Sequence, residues 1–169
     1  MKKTILLIAI LLITVSCKNN KTSSKYSEKM TKKETTTSTS ASKDWFAHLD
    51  ADQYKVLKEK ATERPFTGKY NLHFEEGTYS CAACGTALFK SNSKFDGHCG
   101  WPSFDDAIAG TVAYIKDNSH GMIRTEIVCH TCGGHLGHIF DDGPTETGKR
   151  YCVNSLSLDF TAKKDSINK

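Results

Sequence analysis

Seven cysteines carry most of the chemistry available to this chain. Four stand in two short motifs: "CAAC" (Cys81, Cys84) followed by Gly85, and "CHTC" (Cys129, Cys132) followed by Gly133. In a C-x-x-C-G knuckle two thiolates converge on one metal, and the glycine permits the tight turn beneath them. Two knuckles supply four thiolates, the closed tetrahedral donor set of a structural Zn2+ site. The 44 residues between the knuckles exceed the gap of a simple zinc ribbon, so the knuckles must join distant parts of a sheet. Disulfides and metal-free redox motifs are the competing uses of such cysteines; the duplicated CG ending favours zinc. A Cys2His2 site in "CHTCGGHLGH", from Cys129, Cys132, His135 and His138, is a further alternative, but it leaves Cys81 and Cys84 unexplained.

Cys99 and Cys152 belong to neither knuckle. Two such thiols are either packing residues or a redox couple. Cys152 lies in "KRYCVNSLSLDF", whose polar–apolar alternation is that of a half-buried strand. In a strand Arg150, Cys152 and Asn154 share one face and Tyr151, Val153 and Ser155 the other. A cation two residues away favours thiolate, and an amide on the same face can orient a polar ligand. Cys152 is therefore a candidate nucleophile. Cys99, in the Gly-rich and mobile stretch "DGHCGWPSF", is a candidate resolving thiol.

These residues need elements to hold them. "DWFAHLDADQYKVLKEKATERPFTG" carries two helical patterns: Trp45, Phe46 and Leu49, then Tyr54, Val56, Leu57 and Ala61. Asp50 or Asp52 can cap the second, and Pro65 follows its end. After Gly68, "KYNLHF", "TYSC", "ALFKS", "TVAYIKD", "GMIRTEIVC" and "RYCVNSLSLDF" are strand-like runs separated by Gly-, Asp- and Asn-rich turns. The expected fold is mainly β: antiparallel sheets with small flanking N-terminal helices, stapled by zinc, over residues 44–162. Residues 163–169 are expected to fray.

The N-terminus has a different texture. "MKK" and the apolar run Ile5–Val15 form an export signal too short to span a bilayer. The end, "ITVSC", resembles a bacterial lipoprotein signal, which predicts a signal peptide over 1–16, lipidation at Cys17 and anchoring to a membrane of the cell envelope. Thr14 stands where that pattern prefers leucine. Residues 17–43 are a Ser/Thr/Lys-rich tether with too little apolar surface to fold. The net charge of +4 belongs to this tail: residues 1–43 hold nine Lys and two Glu, whereas residues 44–169 hold fourteen Lys plus Arg against seventeen Asp plus Glu. A domain at −3 has no electrostatic reason to bind nucleic acid.

Taken in order, "TERPFTG", "CAACGTALF", "KFDGHCGWPSF", "CGGHLGHIFDDGP" and "RYCVNSLSL" resemble the B-type methionine sulfoxide reductases, from about Trp45 to Phe160. Such enzymes reduce the R epimer of methionine sulfoxide, and the family fold is a pair of antiparallel β-sheets with small flanking helices. The resemblance makes Cys152 the catalytic cysteine and Cys99 the resolving one, with recycling through an intramolecular Cys99–Cys152 disulfide reopened by a thioredoxin-like reductant. It supports zinc at Cys81, Cys84, Cys129 and Cys132. It makes His138, with His135 beside it, the acid, and sets Trp101 against the substrate methyl group. Arg150 and Asn154 are then placed to hold water or the sulfoxide oxygen, and Phe140 and Asp141 are minor candidates for the same pocket. The substrates implied are methionine sulfoxide and proteins containing it, and the expected state is a monomer. A different class remains open: a zinc-stapled domain that binds a ligand without turnover.

Overall fold

In a computed structural model of the chain, residues 43–164 are described; the expected signal segment, Cys17, the rest of the tether and the last five residues lie outside them. Among the described residues one α-helix, α1 (Ala51–Leu57), opens the domain. Asp50 accepts the backbone N–H groups of Asp52 and Gln53, and the Gln53 side chain returns to the Asp50 N–H. This reciprocal pair satisfies donors that a helix start leaves unmatched. Val56 and Leu57 bury the helix against the sheets. The first helical pattern forms only a turn over Trp45–His48, because Asp44 captures the Phe46 N–H and Asp50 adopts extended backbone before α1 begins. Among the described residues no helix is long and apolar enough to cross a membrane.

Among the described residues nine strands follow: β1 (Gly77–Cys81), β2 (Ala87–Lys90), β3 (Lys94–Phe95), β4 (Ser103–Phe104), β5 (Val112–Asp117), β6 (Arg124–Cys129), β7 (His135–Phe140), β8 (Arg150–Val153) and β9 (Leu158–Ala162). They form two antiparallel sheets, ordered β2-β1-β9 and β3-β4-β8-β7-β6-β5. Tyr79, Leu88, Phe89, Phe104, Ile127, Leu136, Val153 and Leu158 are fully buried among them. Phe89 stacks on Phe104 at 4.4 Å between ring centroids, joining one sheet to the other.

Two of the expected strands come out differently. "KYNLHF" is a run of turns. Its backbone bonds to side chains rather than to a neighbouring strand: the Tyr70 N–H donates to Ser155 Oγ, and Lys94 Nζ donates to the Asn71 carbonyl. "RYCVNSLSLDF" breaks after Val153 into β8, a 3-10 turn over Ser155–Ser157, and β9 in the other sheet. The Glu63 carboxylate takes the Ser155 and Leu156 N–H groups that a continued strand would have paired. β7, absent from the expected strands, is the neighbour of β8.

Candidate active site

Cys152 sits near the end of β8, between β4 and β7. Its register partners are Ser103 and His138. The alternation along β8 turns Tyr151 and Val153 into the core and leaves Arg150 and Cys152 half-buried on the other face. Asn154 lies one residue beyond the strand and is buried. Cys99 arrives on the loop between β3 and β4, which is pinned rather than loose. The Phe66 N–H donates to the Gly100 carbonyl at 2.8 Å. A Cβ on Gly100, at φ +89°, would fall 2.7 Å from Pro65 Cβ, so only glycine allows the two segments to meet.

The sulfurs of Cys99 and Cys152 are 3.8 Å apart and unbonded. At this range one thiol stabilises the ionised form of the other, and the two titrate as a pair. The Cys152 S–H, helped by Ser103 and against the cost of burial, holds Cys99 down at about 5. The hydrogen bond to Cys99, followed by burial, pushes Cys152 well above the ordinary thiol range. Arg150 pulls both thiols down, the sign expected from the sequence, but on Cys152 the sulfur neighbour and burial outweigh it. The Arg150 guanidinium is itself anchored by Asp142, with both bonds at 2.8 Å.

Beside Cys152 is a cavity of about 110 Å3 lined by Thr62, Trp101, Arg124, Gly137, His138, Phe140, Cys152, Val153 and Asn154. The Trp101 indole N–H donates to the Glu63 carbonyl at 3.1 Å, which fixes the ring. His138 Nε2 donates to Asp117 Oδ2 at 2.8 Å, and Arg124 Nη2 donates to the same oxygen at 2.6 Å. The cavity thus has an aromatic side, an imidazole and a thiol.

Of the residues singled out in the sequence, Cys152, Cys99, Trp101, His138 and Asn154 come together here. The Asn154 carboxamide is already engaged, accepting from the Glu63 N–H and donating to the Leu136 carbonyl. Arg150 stays outside the cavity lining, next to the thiols. His135 is 3% exposed, points Nδ1 at Glu126 Oε1 (2.8 Å), and does not line the cavity. Burial lowers its pKa against the opposing pull of the Glu126 carboxylate. Phe140 lines the cavity, whereas Asp141 pairs outside it with Lys149. Thr62, Arg124, Asp117 and the bonding role of Glu63 had no signal in residue spacing. They reach the site from segments far from Cys152 in the chain.

The four knuckle cysteines form a separate cluster, with all sulfurs within 4.8 Å of one another. Gly85 and Gly133 adopt φ +75° and +73°, and each donates its N–H to the first cysteine of its knuckle at 2.8 Å. Cys81 ends β1 and Cys129 ends β6, so the cluster ties the two sheets together. The hydrogen bonds from Cys129 and Cys132, with burial, push the Cys81 thiol far up. Four convergent cysteine sulfurs, two buried and two half-buried, form a donor set that fits Zn2+, which would hold them as thiolates. His135 and His138 bond to carboxylates instead, which removes the Cys2His2 arrangement.

Residues 49–162 match the family model described as the SelR domain. A protein of Variovorax paradoxus named peptide methionine sulfoxide reductase MsrB is 60% identical over 111 residues, covering 65% of this chain and 82% of that protein. Proteins of the same name from Pseudomonas putida and Methanosarcina mazei are 56% and 52% identical, covering 69% and 73% of this chain and 89% of each of theirs. Among solved structures, the Mis18 "Yippee-like" domain aligns at TM-score 0.42 and 15% identity, over 54% of this chain and all of that one. The chain belongs to the SelR domain family, the B-type methionine sulfoxide reductases that its motifs resemble.

Proposed function

We propose that the chain reduces the R epimer of methionine sulfoxide, free or within a polypeptide, at the sulfur of Cys152. The observation that carries this is the 3.8 Å approach of Cys99 and Cys152 beside a small aromatic cavity that also holds His138. A cavity of about 110 Å3 suits a methyl sulfoxide head group. Trp101 and Phe140 offer apolar contact to the S-methyl group. The nucleophile is the Cys152 thiolate, formed when its proton passes to Cys99 or to solvent. It attacks the sulfoxide sulfur, and the oxygen leaves that sulfur only as it gains a proton. His138, held by Asp117, is the donor on the same wall. The bond between the two sulfurs then breaks as the protonated oxygen bonds to the Cys152 sulfur: methionine departs, Cys152 becomes a sulfenic acid, and the two electrons gained by the sulfoxide sulfur are those lost by the Cys152 sulfur.

Cys99 then attacks the Cys152 sulfur, water leaves, and the disulfide forms. A dithiol protein of the thioredoxin type returns both thiols by exchange. Export by the N-terminal signal, with acylation of Cys17, would put this repair at the cell envelope; mass analysis of the N-terminal peptide from membrane-extracted protein should find acylated Cys17. Function is tested with resolved R and S epimers. Wild type should reduce the R epimer and Cys152→Ser should not. Turnover retained by Cys152→Ser would defeat the mechanism.

A further inference from the structure

Glu63 lies in the irregular segment between α1 and β1, yet it is only 8% exposed. Four hydrogen bonds leave this one residue. Its N–H donates to Asn154 Oδ1 at 3.1 Å, and its carbonyl accepts the Trp101 indole N–H at 3.1 Å. Its carboxylate accepts Ser155 N–H at 2.7 Å and Leu156 N–H at 3.0 Å. Asn154 continues the chain by donating to the Leu136 carbonyl on β7, two residues before His138. A hydrogen-bonded frame thus runs from Trp101 through Glu63 and Asn154 to β7. It links three sides of the cavity: the aromatic wall, the exit from the Cys152 strand, and the strand of His138. Gly68 keeps the frame closed from outside, since a Cβ there would lie 2.6 Å from Glu63 Oε1 and 2.2 Å from Ser155 Oγ.

We infer that Glu63 is a positioning residue for sulfoxide reduction: it sets the spacing between Trp101 and the sulfur of Cys152. It touches no reacting atom. A buried carboxylate is costly without partners, and both of its acceptor atoms are spent on the turn directly after Cys152. Replacing it with glutamine leaves one N–H of that turn facing an amide N–H2, so the turn must move. Displacing a reacting sulfur from a bound substrate costs rate steeply, because alignment is lost at the transition state.

This inference rests on the function proposed above, and the experiment separates the two. Glu63→Gln is compared with wild type in two assays on the zinc-loaded protein: single-turnover reduction of a methionine-R-sulfoxide peptide at saturation, and alkylation of the reduced thiols by iodoacetamide. The first should fall about tenfold or more and the second by no more than about twofold, since alkylation needs a thiolate but no aligned sulfoxide. Equal losses in both assays, or no loss in the first, would overturn the inference. If Glu63→Gln does not fold, Gly68→Ala decides. Gly68 lies outside the cavity lining, and its added Cβ would fall 2.6 Å from Glu63 Oε1 and 2.2 Å from Ser155 Oγ, so it displaces the carboxylate end of the frame without touching the substrate wall. The same split between the assays supports the frame, and unchanged single turnover overturns it. A wild-type protein inert toward the R epimer would instead defeat the proposed function.

Discussion

At the scale of single residues, the decisive feature is that two thiols share one proton. Cys99 is low because Cys152 donates to it, and Cys152 is high because it is that donor. Thiolate is present above the folded-state value and lost as pH falls through it. Alkylation of the reduced protein by iodoacetamide should therefore persist down to about pH 5. In Cys152→Ala the limb should move up toward the ordinary thiol value of about 8.5; a wild-type limb already at that value would contradict the shared proton. The same pairing predicts the behaviour of Cys99→Ser. Removing Cys99 removes the largest influence raising Cys152, so the first chemical step should survive. Without a resolving thiol, thioredoxin-driven cycling should stop after one turnover, as followed by methionine released per protein. Full cycling would show that another thiol resolves the sulfenic acid.

At the scale of elements, the site depends on how closely β7 passes β8. A bulge in the β6–β7 pairing falls between Ile127 and Val128, opposite Leu136 and its neighbours. Gly137, paired with Val153, takes φ +153°, and a Cβ there would lie 2.0 Å from the Cys152 carbonyl oxygen. Gly137→Ala should destabilise the domain by about 1–3 kcal/mol, read from the denaturation midpoint, because backbone rather than a flexible side chain must yield. An unchanged midpoint would mean that β7 and β8 have slack. The sequence shows some of this and hides the rest for physical reasons. Alternation exposed the faces of β8 because one face packs on the core. Spacing exposed the knuckles because a metal imposes it. The break after Val153 was hidden, because it is enforced by Glu63, about ninety positions away in the chain. The anchors of Trp101 and His138 were hidden likewise: the Glu63 carbonyl and Asp117 are brought in by folding, not by sequence proximity. "KYNLHF" alternates like a strand, but its backbone partners turned out to be the side chains of Ser155 and Lys94.

At the scale of the molecule, two sheets meet over an aromatic core and are tied by four sulfurs at the ends of β1 and β6. The metal cluster and the redox pair use different cysteines, which gives them separable jobs. Stripping zinc with a chelator under reducing conditions should lower the melting temperature by about 10 °C or more, because metal binding energy is folding energy in such sites. Calorimetry with and without chelator measures this; equal melting temperatures would remove the staple. The central claim concerns the other sulfurs, and mass spectrometry of Cys99→Ser mixed with one equivalent of methionine-R-sulfoxide peptide tests it most directly. The account predicts a gain of about 16 Da, one oxygen atom, on the peptide containing Cys152, matched by release of reduced peptide. Reduced peptide formed with no oxygen ever found on Cys152, or on an adduct trapped from it, would contradict it.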